Sequence, residues 1–296
     1  MPAGRARIDS ETVRRTLRNT GLRARHSLSQ NFLADADVLD AILAEVGPVD
    51  GRQILEIGPG LGLLTGALLE AGAVVTAVEL DRGLAAFLRD RFGAEAEDGR
   101  LQLIEGDALD QELTRLCPPP YDVVANLPYH ITSPILHRLL GERPRPERLV
   151  LMVQREVAER IAAKPGGMSY LSVFVQYHAT VRIAIEVAPE AFEPEPAVRS
   201  AVIVAEPFPE DDRLASPDAE DALWRLVQAG FRERRKMLHN VLSRQLPVEP
   251  ARVDDALRAA GIAPDRRPQT LAVGEWLELL AALGDIAPAG ARGRRA

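Results

Sequence analysis

At 296 residues and 46% hydrophobic content, the chain can bury a substantial core and suits one large domain, alone or with a smaller one. Its single cysteine, Cys117, excludes an intramolecular disulfide framework and a multi-cysteine zinc site, and no run approaches the roughly 20 apolar residues that span a bilayer. The net charge of −7 does not exclude a nucleic-acid partner, because residues 1–30 carry seven arginines against Asp9 and Glu11 while the acidity lies between 31 and 205. The amino terminus has no apolar stretch of signal-peptide type, so a reducing, cytoplasmic location is expected.

Residues 8–25 read as a short helix and a basic arm. Ser10 is the expected N-cap, Val13 and Leu17 share a face, and Gly21 ends the helix. The arginines around them suit solvation or contact with an RNA backbone, with Arg23 and Arg25 as candidates. Residues 26–35 set Gln30 and Asn31 beside Phe32 and Leu33 in a loop that can cover a ligand. Asp35 then caps a helix through Val38, Leu39, Ile42 and Leu43.

A strand and helix alternation starts at Gln53. The first strand, 54–57, runs into Gly58-Pro59-Gly60-Leu61-Gly62 and a helix through Leu64, Leu68 and Leu69; such glycines let a ligand approach the backbone. The spacing is a poor dinucleotide fingerprint, because Leu63 or Thr65 stands where its third glycine belongs. The second strand, 73–78, ends in Glu79-Leu80-Asp81. A carboxylate about 20 residues beyond the glycines can accept from both hydroxyls of an adenosine ribose, which suits NAD and S-adenosylmethionine equally. The third, 101–104, ends in Glu105-Gly106-Asp107, where an acid can accept from an adenine amine. The fourth, 121–125, meets Asn126-Leu127-Pro128-Tyr129, and Pro128 forces the chain out of the sheet. Four strands thus deliver polar or glycine residues to the edge where open α/β sheets bind ligands.

The last of these stretches suggests methylation of an exocyclic amine. The Asn126 side-chain oxygen and the Leu127 carbonyl can accept from an adenine or guanine NH2 group while Tyr129 stacks on the base. The plain alternative is a proline turn with a packed tyrosine. A fifth strand over 149–153 leads into a helix to about 163, and 162–167 reads as a breaker. Residues 169–178 fit helix or strand, and helix is expected; strands follow over 181–187 and 200–205. Between them lies the stiff Phe192-Glu193-Pro194-Glu195-Pro196, in which Phe192 either clamps the far face of a base or anchors the loop in the core. An acidic, proline-rich stretch at 207–217 marks a boundary. Helices are expected over 218–229, 231–245, 250–260 and 274–283, the second opposing basic Arg232, Arg235 and Lys236 to an apolar stripe of Phe231, Leu238, Val241 and Leu242.

The ordered set Q-N-F-L at 30–33, E-I-G-P-G-L-G at 56–62, E-L-D at 79–81, G-D-A at 106–108 and N-L-P-Y at 126–129 resembles the KsgA/RsmA family of small-subunit rRNA adenine dimethyltransferases. Q-R-E-V at 154–157, F-x-P-x-P-x-V-x-S-A-V at 192–202 and F-x-x-R-R-K-x-L-x-N-x-L at 231–242 extend it, so that it covers about residues 20–283. The resemblance implies an α/β, Rossmann-like methyltransferase domain with a seven-stranded, mostly parallel sheet and a small helical C-terminal domain. The expected divisions are an arm at 1–30, the methyltransferase domain at 31–206, a linker at 207–217, the helical domain at 218–284 and a disordered tail at 285–296.

It also implies transfer of two methyl groups from S-adenosylmethionine to N6 of each of two adjacent adenosines, in a hairpin near the 3′ end of 16S rRNA in the 30S subunit or its precursor. The expected enzyme is a monomer with a role in ribosome biogenesis, using neither metal nor covalent intermediate. Asn31, Leu33, Glu56, Gly58, Gly60, Glu79, Asp107 and Asn126 would hold the cofactor. Asn126, Leu127, Pro128, Tyr129 and Phe192 would meet the target base, and Arg23, Arg25, Arg232, Arg235 and Lys236 the RNA backbone. The chain departs from the family pattern at His26, Ser29, Ala197 and Arg199. S-Q-N-F at 29–32 is also similar to large-subunit rRNA methylases of the macrolide-resistance type, although Leu127 and the R-R-K stretch favour the small-subunit enzyme. A third reading is an assembly or RNA-binding factor with incidental catalysis. A nicotinamide oxidoreductase is disfavoured by the glycine spacing.

Overall fold

A computed structural model describes residues 8–25, 28, 30–209, 216–284 and 286. His26, Ser29, residues 210–215 of the expected linker and residues 285 and 287–296 of the expected tail lie outside the described residues. The first helix, α1 (Ser10–Thr20), is capped by Asp9 rather than Ser10. Asp9 has the extended backbone of a cap, and its carboxylate accepts from the Thr12 N–H at 2.8 Å. Gly21 closes the helix in the left-handed region, at φ 69°. A two-residue strand, β1 (Phe32–Leu33), precedes α2 (Ala36–Val46), which Asp35 caps as expected.

The strands β2 (Gln53–Ile57), β3 (Val74–Glu79), β4 (Leu101–Glu105), β5 (Tyr121–Asn126) and β6 (Arg148–Gln154) follow. Crossovers carry α3 (Leu63–Glu70), α4 (Arg82–Arg91), α5 (Gly93–Glu97), α6 (Leu113–Leu116) and α7 (Thr132–Gly141). After α8 (Arg155–Ile161) and α9 (Tyr170–His178), the chain forms β7 (Ala179–Val187), β8 (Phe192–Glu193) and β9 (Ser200–Pro207). The seven-stranded sheet has the order β4-β3-β2-β5-β6-β9-β7, parallel except where β9 pairs antiparallel with β6 and β7. Central strands such as β5 and β6 are buried along most of their length, as the apolar runs at 123–125 and 149–153 require. From β2 the order runs outward in both directions, so β2 and β5 flank the topological switch point.

The chain divides into two compact units. The first comprises residues 1–159 and 178–207, with a core formed by the sheet and residues of α2, α3 and α4. The second comprises residues 160–177 and 208–296. Its helices are α9, α10 (Pro217–Phe231), α11 (Leu238–Gln245), α12 (Pro250–Ala259) and α13 (Val273–Leu283). The expected boundary near 207 therefore omits a segment. α9 is helical as expected, but Met168, Val173 and Tyr177 share a core with Leu223, Leu226 and Trp276. The Trp224 ring meets the rings of Phe174 and Tyr177 at centroid distances of 5.0 and 5.1 Å.

The helix expected over 231–245 is interrupted. α10 ends at Phe231, and α11 begins only at Leu238, whose N–H donates to the Arg266 carbonyl at 2.7 Å instead of to a carbonyl four residues back. Arg232, Arg235 and Lys236 thus stand in an exposed turn, not on one face of a helix. Among the described residues no helix is long and apolar enough to cross a membrane.

Candidate active site at the carboxyl edge of the sheet

The carboxyl ends of β2, β3, β4 and β5 open onto one cavity. β2 ends in three glycines with positive φ: Gly58 at 71°, Gly60 at 59° and Gly62 at 72°. That backbone is one that side chains other than glycine rarely adopt. A Cβ on Gly60 would stand 3.1 Å from the Phe32 ring, so the loop also needs glycine to pass beneath β1. Glu79, only 5% exposed at the end of β3, accepts from the Gly60 N–H at 3.1 Å and the Asp81 N–H at 2.8 Å. Burial raises its pKa, and those N–H groups oppose the rise. At the end of β4, the Asp107 carboxylate accepts from the Leu109 N–H at 2.8 Å and faces the same cavity.

Glu56 lies on β2, 1% exposed, and accepts from the Thr65 hydroxyl at 2.7 Å. Burial pushes its carboxyl up to about 8; the Thr65 hydrogen bond opposes the shift and the Glu79 charge adds to it.

The other half of the cavity is built by the end of β5. The Leu127 N–H donates to the Met152 carbonyl of β6 at 3.1 Å, pinning the peptide at the sheet edge. Asn126 donates its Nδ2 to the Asn31 carbonyl at 3.3 Å. A carbonyl can only accept, so this contact fixes which way the amide faces and leaves Oδ1 as the acceptor for a ligand. Pro128 turns the chain into a short helical turn, Tyr129–Ile131, and the Tyr129 ring lines the cavity.

All eight expected cofactor residues (Asn31, Leu33, Glu56, Gly58, Gly60, Glu79, Asp107 and Asn126) line this cavity, and so do Leu127, Pro128 and Tyr129. Phe192 does not. It is 1% exposed in the core of the first unit, where β8 pairs with β1 and sets Phe192 opposite Leu33. This is the place of a loop anchor, apart from the cavity lining. Arg23 is exposed, whereas Arg25 is engaged with the buried Asp81 at 3.1 Å. Arg232 donates to the Gln245 side chain at 2.9 Å, and Arg235 and Lys236 are exposed.

Asp81 is the residue that site reasoning missed. It caps α4 through the Gly83 and Leu84 N–H groups, and its second oxygen holds Arg25 and Gln30. Its place in E-L-D, next to a helix start, was the available signal. Leu80, 45% exposed on the cavity wall, is an apolar surface beside the Glu79 carboxylate.

These residues fit S-adenosylmethionine. A glycine loop admits close approach, a buried acid ends β3, and the exposed Leu80, Asp107, Asn31 and Asn126 line the same cavity, a donor and acceptor set that a nucleoside cofactor can use. A parallel sheet carrying one antiparallel strand, with this cavity at its carboxyl edge, defines an S-adenosylmethionine-dependent methyltransferase of the Rossmann-like class. The family described as ribosomal RNA adenine dimethylase matches residues 21–284, and the chain belongs to that family.

The chain is 43% identical over 276 residues to Ribosomal RNA small subunit methyltransferase A of Anaeromyxobacter sp. (strain K), covering 89% of this chain and 94% of the relative. It is 44% identical over 270 residues to the protein of that name from Geobacter sulfurreducens, covering 89% and 96%. Among solved structures it is similar to a dimethyladenosine transferase from Plasmodium falciparum, with TM-score 0.72, 26% identity, and 84% and 96% of the two chains covered. It is also similar to the 23S rRNA methyltransferase ErmE, with TM-score 0.67, 29% identity, and 86% and 99% covered.

Proposed function

We infer that the chain dimethylates N6 of two adjacent adenosines in the hairpin near the 3′ end of 16S rRNA, acting in the cytoplasm as a monomer on the small ribosomal subunit or its precursor. The observation that carries the chemistry is the oriented Asn126 amide beside Tyr129 at the end of β5. The names of the relatives at 43–44% identity support the small subunit as the source of the substrate.

S-adenosylmethionine, when bound, supplies an electrophilic methyl group on its sulfonium. The chain's own residues do the rest by placement. Glu79 takes a ribose and Asp107 an adenine amine, while the glycine loop lets the backbone lie close. Asn126 Oδ1 and the Leu127 carbonyl accept from the target NH2 group, which favours a geometry with the lone pair freed from the ring. Tyr129 stacks on the flipped base and fixes its plane. The exposed Arg23, Arg235 and Lys236 are available to rRNA phosphates.

The test supplies labelled S-adenosylmethionine with undermethylated small subunits and, separately, with unmodified large-subunit rRNA. Dimethyladenosine at two adjacent positions near the small-subunit rRNA 3′ end is expected. Label confined to large-subunit rRNA would transfer the assignment to the reading that the ErmE likeness favours. Asn126→Ala should lower the transfer rate roughly 10²–10³-fold, as removal of a preorganised polar group does, with RNA binding retained in filter-binding assays.

A further inference from the structure

Ser200 is the first residue of β9 and is 0% exposed. Sheet pairing holds it on both sides, opposite Gln154 of β6 and Val187 of β7. The rest of the strand up to Ala205 is apolar and buried, so a hydroxyl at its head is costly unless bonded. Its partner is the Tyr129 hydroxyl, 2.8 Å from Ser200 Oγ. Burial raises the Tyr129 pKa and the Ser200 bond opposes that rise, so the phenol stays protonated near neutrality.

The backbone end of Tyr129 is also fixed. The Ile131 N–H donates to the Pro128 carbonyl at 3.1 Å, and the Thr132 hydroxyl to the Tyr129 carbonyl at 3.3 Å. A ring held at both ends cannot swing about its first side-chain torsion without breaking its hydrogen bond to the buried Ser200. The angle of this ring matters because Phe192, the expected second wall, is in the core, and Phe32 stands over Gly60 in the glycine-loop half of the cavity.

We propose that Ser200 is a positioning residue for methyl transfer: its buried hydroxyl locks the Tyr129 ring at the angle that presents the target adenine's amine to Asn126. The inference rests on the reading of Tyr129 as the stacking residue of an adenine dimethylase. The hydroxyl acts on the base only through the phenol, so its effect must vanish when the phenol is gone.

The experiment is a double-mutant cycle of Ser200→Ala and Tyr129→Phe, read as kcat and KM on undermethylated small subunits at a temperature where all the proteins are folded by circular dichroism. Each single change should lower kcat about five- to tenfold, the scale of one lost hydrogen bond, with KM for S-adenosylmethionine unchanged. The double variant should be no slower than either single one. In RNA carrying 2-aminopurine at the target position, the quenching expected from stacking on Tyr129 should weaken in both single variants. Should Ser200→Ala fail to fold, Tyr129→Phe, which leaves Ser200 in place, reads the same bond. Losses that add in the double variant, or a wild-type kcat and quench in Tyr129→Phe, would overturn the inference while leaving the function intact. Absence of transfer by the wild-type protein would remove the functional reading and this inference with it.

Discussion

Glu56 is a buried acid whose nearest bonded partner is a neutral hydroxyl, so its proton is held more tightly in the folded chain than in the unfolded one. The folded value near 8 lies above the ordinary value of 4.5. Its stabilising contribution is therefore complete below pH 4.5 and declines as pH rises through about 8. Thermal melts from pH 6 to 9 should show a falling Tm that is distinctly flatter in Glu56→Gln, which cannot ionise. Equal slopes would show that another group carries the dependence. Phe192 makes an opposite point about aromatic residues. Its burial predicts that Phe192→Ala costs about 3–5 kcal/mol of stability by leaving a cavity. Phe192→Leu should keep most of the activity, whereas a stacking residue would lose it; parallel melts and methylation assays separate the two. A lone aromatic after a strand looks the same from sequence in either role; the pairing of β8 with β1, which sets Phe192 opposite Leu33, supports the anchor.

Among the elements, α4 and the segment leading into β1 are joined by one carboxylate. Asp81→Ala removes the cap from the Gly83 and Leu84 N–H groups and the anchor from Arg25 and Gln30. A loss of about 1–2 kcal/mol is expected from the cap, with little added by the half-exposed Arg25 pair. Cofactor affinity, measured by calorimetry, should also fall, because Gln30 and Asn31 lose their tether at the cavity rim. Strand ends were readable from sequence because glycines, acids and Pro128 fall where apolar runs stop. The partner of α9 was not, since a buried face does not say what buries it. Nor was the break before Leu238 readable, because the carbonyl that replaces its helical partner belongs to Arg266, far along the chain. Local periodicity carries no record of such a bond.

Over the whole molecule, the second unit is assembled from an inserted segment and the C-terminal part of the chain. A chain stopped after Pro207 would keep Met168, Val173 and Tyr177 but lose their partners Leu223, Leu226 and Trp276. It should aggregate and bind a hydrophobic dye. Replacing residues 162–177 with a short glycine-serine linker should restore a monodisperse species by gel filtration. Persistent aggregation of the doubly shortened chain would show that the first unit needs the second for its own stability.

The same discontinuity sets a timetable for the nascent chain. α9 leaves the ribosome well before the helices that cover it, since α13 ends at Leu283, about a hundred residues later. At ordinary elongation rates that is a wait of roughly 5–20 s. During this interval an apolar helix stands in the chain between α8 and β7 with the partners of its core not yet made. Codon-dependent pauses or a holding chaperone at that stage of synthesis would meet this segment uncovered.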